Sequence, residues 1–353
     1  MNKTKRIVLG MSGGVDSATS AALLLSAGHQ VLGVTCLFLP TKEARAAALD
    51  AAAVCKLLGI EHVIRDCTGV FSSCVVDPFV SDYAAGLTPS PCVQCNRFCK
   101  IPELIAVADE RGYDAVATGH YARIAQLSSN GRFVVKTALD ESKDQSYMLA
   151  MLEQEQLARL VLPLGGTTKA DVRIHAADLG LPVAEKPESQ DICFVSGDYT
   201  DFLAARGVVG VPGNIVTQAG AVVGQHAGLA RYTVGQRKGI GVAAAQPYYV
   251  IEKRPHANEL VVGFQEETLI DTLMVQQVNW QAFADGEGAR ECMCKLRYRS
   301  RGVACVIEPA GPQTLRVSLR SPQPTTAPGQ FAVFYEGATV WGGGVITAVC
   351  RAS

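Results

Sequence analysis

A buried strand, a glycine-rich loop and a helix follow one another at the start of this chain. The apolar stretch 5–10 (KRIVLG) predicts the strand, and the Ala/Leu-rich stretch 18–27 predicts the helix. Two adjacent glycines between them let backbone N–H groups approach a polyanion, and the helix N-terminus adds its dipole. An ordinary strand-to-helix turn is the alternative. The candidate phosphate-binding residues are Gly10, Met11, Ser12, Gly13, Gly14, Val15, Asp16 and Ser17.

Strands and helices alternate through the first half of the chain. Strands are predicted over 31–39 and 62–67 with a helix over 42–58 between them, and a later strand over 115–120 contains Gly119 near its end. Such alternation is typical of a parallel sheet with helices on its faces. Ligands bind at the carboxyl ends of such strands. An open α/β nucleotide-binding domain is therefore expected over 1–208.

The second half has a different pattern. Beyond about residue 207 the helical periodicity fades, and short β-branched runs alternate with Gly, Pro and Asn turns. This pattern predicts mostly β structure, as a small central domain over 209–272 and a C-terminal β-barrel over 273–353. The expected fold class is α/β, with a parallel-sheet domain first and two smaller β domains after it.

Composition limits the partners and the compartment. The 353 residues carry 32 Lys+Arg against 33 Asp+Glu, so a nucleic acid would have to bind a local basic patch. The uncharged stretch 17–41 is split by Gly28-His29-Gln30 into helix-sized and strand-sized pieces, which predicts no membrane span. No secretion signal is recognisable, so we expect a cytoplasmic protein whose twelve cysteines are kept reduced.

Further motifs point to one family. The loop at 11–17 resembles the PP-loop of the ATP pyrophosphatases, which cleave ATP between the α and β phosphates and adenylate a substrate. From residue 5 to about residue 345 the chain resembles the bacterial tRNA-specific 2-thiouridylases, the MnmA family. The motifs that carry this resemblance lie, in the family's order, at 88–96, 117–122, 143–147, 192–194 and 232–239.

The resemblance implies an activity and its cofactors. With ATP and Mg²⁺, the enzyme would adenylate the C2 oxygen of the wobble uridine of tRNA and insert sulfur at C2. It also implies nucleotide contacts from Cys36 and Gly119. One alternative is an amide-forming PP-loop synthetase that acts on a small molecule, and another is a non-catalytic RNA-binding protein with a metal knuckle.

Cys95 and Cys193 match the two active cysteines of that family. Adenylation makes the C2 oxygen a good leaving group, and a thiolate or persulfide then supplies the sulfur. The resemblance implies that Cys193 carries a persulfide and that Cys95 attacks it, which leaves a disulfide and frees sulfur for transfer. It also implies a sulfur-relay protein that donates the persulfide.

Cys92 departs from the family's pattern, because many members have aspartate there. Cys92 and Cys95 form a C-x-x-C motif, which together with Cys193 could ligate three irons of a [4Fe–4S] cluster or hold Zn²⁺. Plain persulfide chemistry with Cys92 as an extra thiol is the third interpretation, and Cys99 is either a spare thiol or a fourth ligand. We predict that the remaining cysteines in apolar or unremarkable surroundings are mainly packing residues, namely Cys36, Cys55, Cys67, Cys74, Cys305 and Cys350.

Two segments are candidate tRNA contacts. The stretch 295–301 (KLRYRSR) alternates, so in a strand four cations would point to one face and bind phosphates; a solvated strand face is the alternative. The segment 143–145 follows Ser142, a natural N-cap, so it could equally open a helix. The resemblance implies tRNA contacts from Lys143, Asp144, Gln145, Arg297 and Tyr298.

Overall fold

A five-stranded parallel sheet forms the centre of the N-terminal region. The structure, a computed structural model, describes residues 4–186, 192–195, 197–285 and 288–351. The strands of this region are β1 (Arg6–Gly10), β2 (Gln30–Leu37), β3 (Glu61–Asp66), β4 (Ala115–Ala117), β5 (Ala122–Gln126), β6 (Phe133–Thr137) and β7 (Leu160–Val161). Five of them pair in parallel in the order β3-β2-β1-β4-β7. The predicted α/β class is confirmed.

Helices cover both faces of this sheet. They are α1 (Val15–Ser26), α2 (Lys42–Leu58), α3 (Thr68–Phe71), α4 (Asp77–Ala84), α5 (Pro91–Cys95), α6 (Ile101–Arg111), α7 (Gln154–Arg159), α8 (Lys169–Asp178) and α9 (Tyr199–Ala204). Because side chains alternate along a strand, β1 sends Ile7 and Leu9 into one apolar cluster and Val8 into the other. All three are fully buried, and burial of each contributes roughly 1.5–3 kcal/mol. This central strand fixes where the loop after it begins.

Two π-helical turns lie between β3 and β4. They span Ser72–Val76, between α3 and α4, and Asn96–Lys100, between α5 and α6. A π-helical turn widens the helix and is frequent at functional sites. The second turn directly follows Cys95, so it changes which side chains surround that thiol.

The central domain is a four-stranded mixed sheet. Its strands are β8 (Gly213–Thr217), β9 (Val222–His226), β10 (Tyr249–Arg254) and β11 (Glu259–Gly263), in the order β10-β11-β8-β9. The mostly-β character predicted for this part of the chain is confirmed.

A closed six-stranded barrel follows. Its strands are β12 (Leu269–Trp280), β13 (Arg290–Lys295), β14 (Val303–Gly311), β15 (Thr314–Pro324), β16 (Phe331–Glu336) and β17 (Thr339–Arg351). They pair in the order β12-β15-β14-β13-β16-β17, and β17 pairs back with β12, which closes the barrel. Since β12 begins at Leu269, we propose that the barrel domain begins there rather than at residue 273, and we keep 208 as the proposed end of the first domain.

The barrel is joined to the N-terminal region. The hairpin β5–β6 extends the barrel sheet, because β6 pairs with β17 through Lys136 and Thr339. Among the described residues, no helix is long and apolar enough to cross a membrane.

Candidate active site

The phosphate loop (residues 11–17) has a backbone that requires glycine. Gly13 has a φ of +69°, and a Cβ atom on it would lie 2.2 Å from the carbonyl oxygen of Ala47 in α2. Only glycine fits such a conformation at such a short distance. Gly14 is the N-cap of α1 and no side chain caps it, so the first N–H groups of the helix face the loop. This is the arrangement that binds anions at a helix N-terminus.

The two serines of the loop have different roles. The Ser17 hydroxyl is buried, accepts a hydrogen bond from the Ser12 backbone N–H (3.2 Å) and donates one to the Gly14 carbonyl oxygen (3.1 Å). Ser17 therefore braces the loop. Ser12 is exposed, so its hydroxyl is the one that can reach a ligand.

Asp16 links the loop to its surroundings. Its Oδ1 accepts hydrogen bonds from the Tyr121 hydroxyl (2.7 Å) and from the buried Lys169 ammonium (2.6 Å). The carboxylate and the ammonium thus form a largely buried ion pair. Gly119 lies beside Asp16, because a Cβ on Gly119 would come within 3.1 Å of the Asp16 carbonyl carbon. Asp16 thus holds the loop against the end of β4.

Gly10, Cys36 and Gly119 lie at or just beyond the carboxyl ends of the neighbouring strands β1, β2 and β4. Their grouping agrees with a ligand site at this edge of the sheet. Cys36 forms a thiol–thiol hydrogen bond with the buried Cys67, and this bond and burial raise its pKa well above the usual range. Cys36 is therefore protonated, and its contact with a nucleotide stays a prediction.

Cys95 is a buried thiolate. The Cys99 thiol and the Lys100 backbone N–H donate hydrogen bonds to its sulfur, and the Lys100 ammonium adds positive charge nearby. Against the effect of burial, these interactions lower the pKa of Cys95 to about 6, so the sulfur is ionised at pH 7. The π-helical turn Asn96–Lys100 supplies both partners. Sequence reasoning missed Lys100. Its backbone N–H, five positions after Cys95, comes close to the thiolate because the intervening turn is π-helical.

Cys193 lies beside Cys95, although the two are 98 positions apart in the sequence. The next residue, Phe194, packs edge-on against Phe79 (ring centroids 5.1 Å apart), in the apolar cluster that contains Cys95 and Cys99. Cys193 is partly exposed, yet desolvation raises its pKa to about 11, and the negative charge of Cys95 adds to this rise. The structure therefore places the accessible Cys193 thiol beside the buried Cys95 thiolate.

Cys92 lies in the first turn of α5 and is exposed. Desolvation raises its pKa, while the Lys100 ammonium opposes this rise. The charge of Cys92 also raises the pKa of Cys193, as that of Cys95 does. Cys92, Cys95 and Cys193 therefore form one group of interacting thiols. In the described part of the chain, no three His, Cys, Asp or Glu side chains are arranged to hold a metal ion. As placed, these thiols do not fit a cluster or zinc.

The barrel positions the loop that carries Cys92. The Thr88 backbone N–H donates to the Pro328 carbonyl oxygen (2.9 Å), and the Gln330 side-chain amide donates to the Thr88 carbonyl oxygen (2.8 Å). Gly329, with a φ of +94°, allows this approach, since its Cβ would lie 3.0 Å from the Thr88 nitrogen. Residues far apart in the sequence thus fix the start of α5.

The two candidate tRNA segments come together. The Asp144 carboxylate, almost fully buried, accepts hydrogen bonds from the Ser146 hydroxyl (2.8 Å) and the Lys295 ammonium (3.3 Å). Tyr298 packs against Tyr147, with ring centroids 6.2 Å apart. Arg297 is exposed beside them. The segments at 143–147 and 295–298 are therefore in contact with each other.

Two sequence-based interpretations of these segments are wrong. The helix predicted to open at Ser142 is absent, because the Asp144 side chain accepts hydrogen bonds from the Ala138 and Ser146 N–H groups and holds a turn. The alternating cations do not share a strand face, since β13 ends at Lys295 and the chain then turns. Gln145 also bonds inward, accepting a hydrogen bond from the Tyr121 N–H at 2.9 Å.

We expect Lys100→Met to raise the pKa of Cys95 from about 6 towards the ordinary thiol value, because the ammonium that stabilises the thiolate is lost. The rise should be about one unit or more. Alkylation of Cys95 by iodoacetamide, followed by mass spectrometry against pH, measures it: the wild-type rate should fall below about pH 6, and the variant's should fall at higher pH. Lys56→Met on the surface of α2 is the matched control. Superimposable profiles would exclude this role for Lys100.

Comparison with known proteins covers almost the whole chain. Residues 5–197 match the family described as tRNA methyl transferase HUP domain, 200–264 the tRNA methyl transferase PRC-barrel domain, and 270–346 the aminomethyltransferase beta-barrel domain. The tRNA-specific 2-thiouridylase MnmA of Lachnoclostridium phytofermentans is 40% identical, over 97% of this chain and 99% of that protein. The protein of the same name from Nostoc sp. is 42% identical, over 97% and 98%.

A solved structure, the U34-tRNA thiolase NcsA from Methanococcus maripaludis with its [4Fe-4S] cluster, is 19% identical, with a TM-score of 0.35 over 57% of this chain and 64% of that chain. A similarity of this size carries no argument about a cluster here. The sequence matches are much stronger, since they cover 97% of this chain and all three domains. The chain therefore belongs to the family of tRNA-specific 2-thiouridylases, as its motifs predict.

Proposed function

We propose that this chain catalyses ATP-dependent 2-thiolation of the wobble uridine of tRNA, as a tRNA-uridine 2-sulfurtransferase. The observation that carries the proposal is the pairing of the Cys95 thiolate with the accessible Cys193 thiol. A small-molecule synthetase of the PP-loop type would have no use for this pair. The relatives at about 40% identity, named as tRNA-specific 2-thiouridylases, support the same function.

The first step uses the phosphate loop. The N-terminus of α1, together with the exposed Ser12 hydroxyl, binds the ATP phosphates. The uridine C2 oxygen attacks the α-phosphate, pyrophosphate leaves, and the uridine is adenylated. Mg²⁺ bound with ATP would supply positive charge to the phosphates, while Oδ1 of Asp16 is engaged by Lys169 and Tyr121 and holds the loop in place.

The second step uses the cysteines. A sulfur-relay protein transfers a persulfide to Cys193, whose partial exposure makes it the accessible acceptor. The Cys95 thiolate then attacks the inner sulfur of the Cys193 persulfide, which forms a Cys95–Cys193 disulfide and releases hydrosulfide. Hydrosulfide displaces AMP from C2 and gives 2-thiouridine. A thiol reductant restores both cysteines, so we place the enzyme in a reducing compartment, the cytoplasm.

Iron–sulfur and zinc chemistry are not used in this proposal. The arrangement of Cys92, Cys95 and Cys193 does not form a ligand set, and Cys95 already accepts hydrogen bonds from Cys99 and Lys100. We therefore assign Cys92 the role of an additional exposed thiol.

The tRNA docks on the surface around Arg297, where the segments 143–147 and 295–298 meet. Arg297 supplies an exposed cation for a phosphate, whereas Asp144 and Gln145 act from inside by holding Lys295 and the Tyr121 backbone. Tyr121 also bonds to Asp16, so hydrogen bonds connect the docking surface to the phosphate loop. Lys143 lies next to this network.

We expect Arg297→Gln to weaken tRNA binding, because one cation that pairs with a phosphate is removed. The slope of log K against log salt should fall by about 0.7–0.9. Filter binding at several salt concentrations measures this slope. Arg316→Gln removes the same charge from an exposed position on β15 and should leave the slope unchanged. Equal slopes for both variants would contradict the docking surface.

The function is tested with purified chain, ATP, Mg²⁺, an unmodified tRNA transcript and a persulfide donor. Mass spectrometry of digested nucleosides should detect 2-thiouridine, and a transcript with cytidine at the wobble position should yield none. Pyrophosphate release should require the uridine-containing tRNA. Release driven by a small carboxylic acid without tRNA would instead support the amide-forming alternative.

A further inference from the structure

Three cysteines lie on two paired strands of the barrel, away from the sulfur-transfer site. Cys292 and Cys294 are on β13 and Cys305 is on β14. The sequence predicted Cys305 to be a packing residue, and the structure gives it a thiol neighbour instead. The Sγ atoms of Cys292 and Cys305 are 3.5 Å apart, and the two residues are directly opposite in the antiparallel register.

We propose that Cys292 and Cys305 form an oxidation site, which reacts with a hydroperoxide and closes to a cross-strand disulfide. Directly opposite residues of antiparallel strands have Cα atoms about 4.5–5.5 Å apart. This range lies within the roughly 4.4–6.8 Å that a disulfide spans. The backbone spacing of an opposite pair therefore permits the bond, once the two Sγ atoms, now 3.5 Å apart, close to about 2.05 Å.

Cys294 is excluded as the partner by the same register. It is opposite Val303, so Cys305 is its diagonal neighbour, with Cα atoms about 7–8 Å apart. That separation exceeds the span of a disulfide. Cys292 and Cys294 lie two positions apart on one extended strand, about 6.6 Å from each other. Their side chains project in parallel from the same face, so the two sulfur atoms do not point towards each other. The pairing of Cys292 with Cys305 is the one that the fold allows.

The surroundings favour reaction at Cys305. Cys292 and Cys294 both donate S–H hydrogen bonds to its sulfur, and Arg320 adds positive charge, which lowers the pKa of Cys305 well below its usual value. A thiolate is the reactive form towards peroxides. A cavity of about 310 Å³ lined by Cys292, Cys305 and Arg320 gives a small oxidant access.

The chemistry balances with the hydroperoxide as the only oxidant. The Cys305 thiolate attacks the terminal oxygen, the O–O bond breaks, and the alcohol leaves after taking up a proton. Cys305 is then a sulfenic acid. The Cys292 sulfur attacks it, the S–O bond breaks, and water leaves with the Cys292 proton. Two thiols have become one disulfide, and the hydroperoxide has become an alcohol and water.

The bond would tie β13 to β14 at the base of the turn 296–302, which contains Arg297 and Tyr298. The proposal does not depend on the tRNA function, because it rests only on the barrel strands.

The test treats the full chain with hydrogen peroxide and digests it with trypsin without reduction. Mass spectrometry should find peptides 291–295 and 302–316 joined, lighter than their sum by two hydrogen atoms, and separated by dithiothreitol. Cys294→Ser should keep this link, and Cys292→Ser should lose it by about tenfold or more. Thermal melting of each variant verifies folding. Equal linkage in both variants, or sulfinic acid on Cys305 without linkage in the wild type, would overturn the proposal.

Discussion

Cys193→Ser should abolish 2-thiouridine formation, by about 10³-fold or more, while leaving tRNA-dependent pyrophosphate release largely intact. A serine hydroxyl cannot carry a persulfide, so no sulfur reaches the adenylated uridine. The phosphate loop lies on a different element and keeps its geometry. Nucleoside mass spectrometry and a pyrophosphate assay on the same reaction separate the two steps.

Two controls make this prediction specific. Cys350→Ser removes another exposed thiol, on the barrel strand β17, and should retain full thiolation. Cys92→Ala should also retain thiolation, in a protein that contains no stoichiometric iron after anaerobic purification. Loss of both activity and iron in Cys92→Ala would contradict the persulfide mechanism and favour a cluster held by Cys92, Cys95 and Cys193.

Gly13→Ala should lower the rate of adenylation by about 100-fold or more, because the phosphate loop must shift to accept the new methyl group. The Cβ would lie 2.2 Å from the Ala47 carbonyl oxygen, and backbone at that position cannot give way as a flexible side chain would. Pyrophosphate release at saturating tRNA, measured against ATP concentration, should show both a lower kcat and a higher KM for ATP.

Gly59→Ala is the matched control for this substitution. Gly59 has the same φ of +69°, but a Cβ on it would meet nothing within 4 Å. Gly59→Ala should therefore lower the free energy of unfolding only through the left-handed backbone, by about 1 kcal/mol. If both variants adenylate equally, the close approach of α2 to the loop has no part in nucleotide binding.

The cysteine site depends on both local and long-range interactions. The short segment 95–100 makes Cys95 a thiolate, since Cys99 and Lys100 both act on it. The accessible acceptor comes from elsewhere in the chain, held by the packing of Phe194 against Phe79. In the proposed mechanism each cysteine needs the other, because Cys95 supplies the nucleophile and Cys193 carries the sulfur.

Much of the architecture could be predicted from the sequence. The phosphate loop follows from a buried strand, two glycines and a helix, all within twenty residues, because strand burial and helix N-termini are local properties. The parallel sheet and the β-rich second half follow from periodicity. The family motifs predict Cys95 and Cys193 as the active pair, and the structure places them side by side.

Local patterns failed where side chains from distant segments compete. Ser142 looks like a helix cap, but the nearby Asp144 carboxylate holds a turn and also binds Lys295 of the barrel. The alternating cations after Lys295 look like a strand, but β13 pairs with β16 only as far as Lys295, and the residues after it form a turn. Propensity sets a weak local preference, and tertiary hydrogen bonds outweigh it.

The sequence by itself determined the fold class and the phosphate loop, and it predicted the two active cysteines, since each depends on residues close together or on motifs. Only the tertiary structure decided which distant groups act on the site: Lys169 on Asp16, Phe79 on Phe194 next to Cys193, and Pro328 on Thr88 before α5. Hydrogen bonds and charges act over a few ångströms in space, and the separation of two residues along the chain does not reveal that distance.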